Sequence, residues 1–172
     1  MHKIILRVLL ASVVTLFYLL SCAAGTDPGS EGPGDGAGAG QSITFAVGTR
    51  QYVFTDNLAA GYTPGDNATC VVASDAAGAL AETAIHIYFP GNAAGTFNDP
   101  PDSNTDLPRI GILFDSIAYY AWESLQGCWF IIEVTAYGPV GGRIEGTFSG
   151  ELVDGAEKIQ VSDGVFSVMR HN

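Results

Sequence analysis

Two segments near the end of the chain alternate with a period of two residues. Over 143–152 every second residue is apolar or glycine, and the residues between are charged or carry hydroxyl groups. Over 128–137 one face is wholly apolar, and the other, from Trp129 to Tyr137, also carries apolar side chains. This period places alternate side chains on opposite faces of a β-strand. The first segment is therefore predicted as a half-buried antiparallel strand. The second is predicted as a central strand covered on both faces over part of its length.

The chain beyond residue 40 continues in the same manner. Short β-branched and aromatic runs are separated by Gly, Pro, Asn and Asp, and no stretch keeps a helical period. The other predicted strands are 42–47, 51–55, 69–73, 83–89, 109–114, 116–122, 158–161 and 165–170. The last two are predicted to form a hairpin around residues 162–164. Short segments at this spacing, of which about eight or nine are expected to form separate strands, predict an all-β fold, a single antiparallel β-sandwich, with a β-barrel as the alternative.

The N-terminal residues have the order of a bacterial secretory signal. Lys3 and Arg7 precede an apolar run that is too short to cross a bilayer, and the run ends in Leu19-Leu20-Ser21-Cys22. This ending resembles the lipobox of bacterial lipoproteins. The resemblance implies cleavage before Cys22 and acylation of that cysteine, which becomes a stable membrane anchor because several acyl chains are attached. An ordinary cysteine beside a plain signal peptide is the alternative.

Three regions follow from this interpretation. Residues 1–21 are the signal peptide, 22–40 are the lipidated cysteine and a flexible tether rich in Gly and Ala, and 41–172 are one all-β domain. The tether has a root-mean-square reach of about 20 to 25 Å. In enteric-type bacteria, Ala23 after the lipidated cysteine implies export to the outer membrane.

A second resemblance comes from the tail of the chain. The run GGRIEGTFSG at 141–150, followed by VSDGVFSV at 161–168, is similar to all-β lipoproteins common in Bacteroidota and neighbouring phyla. The resemblance implies fold and location, and no activity. The run also has a structural explanation, because Thr and Phe suit a strand and its glycines relieve crowding on the inward face.

The charge of the chain limits the class of partner. Without Lys3 and Arg7, five basic residues stand against eighteen acidic ones, a formal charge of −13. Such a chain repels phosphate backbones, and it has no cluster of Lys and Arg that could release counterions. Nucleic acid is therefore not expected as a partner.

Two cysteines remain after Cys22. Cys70 and Cys128 would enter an oxidising compartment, so they are predicted to form a disulfide. They lack the C-x-x-C spacing of a metal site or a redox motif.

One loop carries a possible cation site. Asp102, Asn104 and Asp106 open like an EF-hand loop and could supply oxygen ligands to Ca²⁺. The pattern then breaks, because Leu107 and Leu113 stand where Gly and a bidentate Glu are needed. A solvated loop with Asx turns explains the same residues.

Aromatic residues are the other binding candidates. Tyr120, Trp122 and Trp129 could stack on a sugar or anchor a protein partner, although most such residues belong to a core. Tyr120 and Trp122 share one face of their strand.

No motif of an enzyme is found. There is no G-x-S-x-G, S-x-x-K, H-E-x-x-H or P-loop, and His86 is expected to be a hydrogen-bonded residue of a sheet. Glycosidic chemistry would need two of the three carboxyl groups of Asp115, Glu123 and Glu133 to lie about 5 to 9.5 Å apart across a cleft.

The sequence therefore predicts a lipid-anchored protein of the bacterial cell envelope that binds an envelope protein or a glycan and is not an enzyme. A structural envelope lipoprotein is the second hypothesis, and a carboxylate-based glycan hydrolase is the third. Any site is expected in the loops at 56–67 and 91–107, because loops on a β-sandwich carry function on a rigid scaffold.

Overall fold

The computed structural model describes residues 40–76, 81–98, 109–114, 117–122, 127–155 and 157–172. These residues form eleven β-strands. Among them there is no helix long and apolar enough to cross a membrane. The strands are β1 (Ser42–Val47), β2 (Arg50–Phe54), β3 (Leu58–Thr63), β4 (Ala68–Ser74), β5 (Thr83–Pro90), β6 (Gly95–Asn98), β7 (Arg109–Phe114), β8 (Ile117–Trp122), β9 (Trp129–Tyr137), β10 (Arg143–Asp154) and β11 (Glu157–Met169).

All strand pairs are antiparallel, and they connect into one sheet that curls into two facing halves. The six-stranded half has the order β6-β9-β10-β11-β1-β2, and the five-stranded half has the order β8-β7-β5-β4-β3. The halves join at two seams. At one seam Tyr120 of β8 pairs with Val153 of β10, and at the other Ala60 of β3 forms a bridge with Arg170 beyond β11. The sheet is therefore nearly closed and barrel-like, and the predicted all-β antiparallel fold is confirmed.

The core lies between the two halves. Both halves contribute large, fully buried side chains, among them Phe89 from the five-stranded half and Phe45, Phe130 and Phe166 from the six-stranded half. Burial of each such side chain stabilises the fold by roughly 1.5 to 3 kcal/mol. The period-two alternation of the strands is what presents these residues to one side.

Two strands lie where the sequence predicts loops. β3 has the sequence LAAGYT, which lacks β-branched alternation, and β6 has only four residues. Pairing with a long neighbour forms both strands: β3 pairs with β4 along its whole length, and β6 pairs with β9. Tertiary contacts outweigh weak local propensity here.

The predicted closing hairpin is wrong, because β11 is one continuous strand. Asp163 has a φ of 53°, and the register shifts beside it in both the β10 and the β1 ladders. The three residues that resemble a turn therefore form a bulge. Pairing with a strand on each side keeps the chain extended through this bulge.

A second bulge changes the direction of Tyr137. The register between β9 and β10 shifts at Glu145 and Gly146, so Tyr137 crosses to the inner side of the sheet. Its hydroxyl lies 2.7 Å from the hydroxyl of Thr69, which donates a hydrogen bond to the carbonyl of Gly91. This contact links β9 to β4 and so joins the two halves. The prediction that Tyr137 faces outward with Trp129 is wrong for this reason.

The last residues of the chain close the second seam. The N–H of His171 donates to the carbonyl of Ala60, and the N–H of Tyr62 donates to the main-chain oxygen of Asn172. The Arg170 guanidinium lies 5.0 Å from the centre of the Tyr137 ring. The cation–π contact lies within the six-stranded half, so the seam itself consists of a few main-chain hydrogen bonds between β3 and the last residues of the chain.

Candidate ligand-binding surface

The outward-facing side of the six-stranded half, here called the outer face, holds most of the exposed apolar residues. In the described part of the chain six large apolar side chains are well exposed: Val53 (61%), Ile117 (43%), Trp129 (40%), Ile131 (44%), Val140 (61%) and Val165 (48%). Four of the six, Val53, Trp129, Ile131 and Val165, belong to the outer face by their strand alternation. Exposed apolar residues gathered on one face are typical of a contact surface.

Hydroxyl, amide and carboxylate side chains separate these apolar residues. One cross-strand row runs across the whole half: Thr96, Glu133, Thr147, Val165, Thr44 and Val53, from β6 to β2. A neighbouring row places Ile131 between Asn98 and Ser149. The outer face therefore combines apolar contact area with hydroxyl and amide groups that can donate and accept hydrogen bonds.

Trp129 lies at the end of β9 beside a fixed ion pair. It pairs with Glu151 of β10, whose carboxylate lies 2.6 Å from the Lys158 ammonium. Lys158 also donates to the carbonyl of Gly127, 2.8 Å away. The charge of Glu151 is thus matched locally, and the indole stands exposed next to a neutralised pair.

Tyr120 lies near Trp129 along β10. Tyr120 pairs with Val153, and Trp129 pairs with Glu151. Because Glu151 and Val153 are two residues apart in β10, the two aromatic residues lie side by side along the same edge of that strand. The Tyr120 ring covers Gly111, where an added Cβ would lie 3.0 Å from the ring. The structure describes only the backbone of Trp122, which pairs with Arg109. Two of the three predicted aromatic residues are therefore neighbours.

The outer side of the five-stranded half is different, because its apolar residues are covered. Ala68, Cys70, Val72 and Tyr88 form a second buried cluster there. His86 faces the same side, and burial, followed by the nearby Arg109 charge, lowers the pKa of His86 to about 4. The imidazole is therefore neutral at pH 7.

The structure does not contain the predicted disulfide. Cys70 belongs to the cluster on the outer side of β4, whereas Cys128 packs against the main core, and no bond joins the two sulfurs. A bridge would have to connect opposite sides of the sheet.

The remaining predicted residues divide into two groups. Glu133 lies on the outer face opposite Thr147. In the described part of the chain, no three His, Cys, Asp or Glu side chains are grouped as a metal site requires. Cys22, the candidate calcium ligands Asp102, Asn104 and Asp106, and the acidic residues Asp115 and Glu123 lie outside the described residues.

Sequence reasoning missed Val53, Ile131 and Val165 as surface candidates. Alternation places Ile131 opposite to the core, but its apolar second face predicts a strand covered on both sides. That prediction is wrong at Trp129 and Ile131, which are exposed. A Thr- and Ser-rich partner strand is the signal that distinguishes the two cases, since β10 presents Thr147 and Ser149 beside β9.

No family model matches the chain, and no match is found among the curated proteins or the solved structures.

Proposed function

We propose that this protein is a lipid-anchored, non-enzymatic binding module of the bacterial envelope, and that the outer face binds a glycan. The lipobox-like sequence ending in Cys22 supports the anchor, and the Gly-rich residues up to position 40 support a flexible tether. The outer membrane is the proposed location.

The observation that carries the binding role is the exposure of Trp129 and Ile131 at alternate positions of β9. An indole and an isoleucine exposed side by side on a regular strand form an apolar platform of the kind that contacts a partner. Strands on both sides hold β9 in place, so the surface is preorganised and binding would order few side chains.

The chemistry of the outer face favours an uncharged polymer. An anionic ligand would meet a mature chain with a formal charge of −13. The basic residues of the domain already contact groups of the protein: Arg50 with Tyr52, Arg109 with Tyr88, Arg143 with the Gly40 carbonyl, Lys158 with Glu151, and Arg170 with Tyr137. A sugar ring offers an apolar face to an indole and hydroxyl groups to Thr96, Asn98, Thr147 and Ser149.

Substitution of the indole tests this proposal. Trp129→Ala is expected to weaken binding to polysaccharide by at least about tenfold, because an aromatic anchor at a contact surface contributes more than about 1.4 kcal/mol. The full-length protein in detergent is mixed with three insoluble, uncharged polysaccharides, cellulose, chitin and β-1,3-glucan, and the fraction depleted from solution gives the dissociation constant.

The matched control is Val140→Ala. Val140 is more exposed than Trp129 but lies in the turn between β9 and β10, away from the outer face. It is expected to leave binding unchanged. Failure of the unsubstituted protein to bind any of the three polymers, or equal binding by Trp129→Ala, contradicts the glycan proposal. Equal thermal unfolding midpoints of the unsubstituted protein and Trp129→Ala would show that this substitution leaves the fold intact.

A further inference from the structure

The free edge of β2 is the second distinctive surface of the molecule. β2 ends the six-stranded half, and within the described residues its ladder partner is β1 alone. A two-residue turn, Gly48 with φ 60° and Thr49, joins the strands and makes Val47 and Arg50 the closing pair. The backbone groups of Arg50, Tyr52 and Phe54 therefore point to β1. Those of Gln51 and Val53 point away from it.

This edge carries few of the features that normally prevent strand addition. β2 has the sequence RQYVF, with no proline and no lysine, and its ladder with β1 has no register shift. Its outward side chain Val53 is 61% exposed. The edge at the other end of the half, β6, is only four residues long. An unprotected, regular edge is a template for another strand.

We propose that a second copy of this chain pairs with this edge, with the two β2 strands antiparallel and Val53 opposite Val53 of the second copy. In this register Gln51 faces Thr55 of the second copy. The register extends β2 by one residue, to Thr55, and the backbone groups of residues 51, 53 and 55 then make about six hydrogen bonds across a two-fold axis.

Charge and shape favour this register. It places Arg50 opposite Asp56 of the second copy, and the same pair recurs on the other side of the axis. Tyr52 faces Phe54 of the second copy on the inner side, and Val53 meets its own counterpart on the outer side. The cross-strand pairs are therefore apolar, oppositely charged or, for Gln51 and Thr55, both polar, and none brings like charges together. The two outer faces become continuous. A foreign strand would gain the hydrogen bonds but not the repeated Arg50 to Asp56 match.

Cysteine cross-linking in native membranes tests the register. In a hydrogen-bonded antiparallel pair the Cα atoms lie about 5.5 Å apart, within the range that a disulfide spans. The full-length Val53→Cys variant is expected to give a covalent dimer on mild oxidation, which reductant removes. Val165→Cys is the matched control, since Val165 is exposed on the same outer face but β11 has strands on both sides. Equal cross-linking of the two variants overturns the proposal.

The mass of the detergent-solubilised protein tests the contact independently. Single-strand pairing buries little area, so we expect a reversible dimer whose mass rises over roughly a hundredfold increase in concentration. Val53→Pro removes an N–H that does not bond to β1 but would bond to the second copy, so this variant is expected to be a monomer. A monomeric unsubstituted protein at every concentration, or a folded Val53→Pro variant that still dimerises, overturns the proposal. If Val53→Pro does not fold, the cross-linking result decides.

Discussion

Replacing Gly146 with alanine is expected to lower the free energy of unfolding by about 3 kcal/mol, and the melting midpoint by roughly 10 °C. Gly146 is buried where β10 lies between β9 and β11. An added Cβ would overlap the carbonyl oxygen of Glu133 and lie 2.5 Å from Cζ of Phe166. The oxygen belongs to the β-ladder and the ring is fully buried, so neither can move without loss of packing.

Gly65→Ala is the matched control for this experiment. Gly65 lies in the turn between β3 and β4, its added Cβ would meet nothing within 4 Å, and its φ is not positive. It is expected to change stability by less than about 1 kcal/mol, in the stabilising direction, because alanine restricts the unfolded chain. Urea unfolding of both variants measures the difference. A Gly146→Ala variant as stable as Gly65→Ala would contradict the tight approach of β9, β10 and β11.

Acidification from pH 6.5 to 4 is expected to destabilise the protein by about 3 kcal/mol through His86 alone. Burial and the Arg109 charge lower the pKa of His86 from 6.5 to about 4 in the folded state. Between these two pH values the unfolded chain binds the proton and the folded chain does not. The contribution is therefore fully present above pH 6.5 and is lost as the pH falls toward 4.

The His86→Gln variant tests this assignment. Glutamine stays neutral across the whole range, so the variant should lose less stability than the unsubstituted protein between pH 6.5 and 4. His171→Gln removes an exposed imidazole near the end of the chain and serves as the control. Free energies of unfolding from urea titrations at several pH values give the comparison. Identical pH dependence of the unsubstituted protein and His86→Gln would rule out a buried, neutral imidazole.

The regular strands could be predicted because their alternation is strong. The pattern over 143–152 predicts β10, and it also predicts the role of its glycines, since an added Cβ at Gly146 or Gly150 would meet the backbone of β9. β3 and β6 could not be predicted, because their sequences carry little signal and long partners form them. The continuous β11 could not be predicted either, because a turn and a bulge use the same residues around Asp163.

The candidate surface was predictable only in part. Alternation places Trp129 away from the core, and the structure agrees. Exposure of that face depends on what covers it, and the sequence of the strand itself does not contain that information: the second face of β9 is open, whereas the outer side of β4 at Cys70 and Val72 is buried. The proximity of Tyr120 and Trp129 arises from one edge of β10 pairing with two different strands.

We propose that a lipid at Cys22 holds this β-domain at the membrane. The most direct test is the intact mass and the detergent partitioning of the protein purified from its native membrane, compared with the Cys22→Ala variant. We expect cleavage before residue 22 and a mass increment of three acyl chains, both absent in Cys22→Ala, and partitioning into the detergent phase only for the unsubstituted protein. A chain that carries no lipid and stays in the aqueous phase would contradict this proposal.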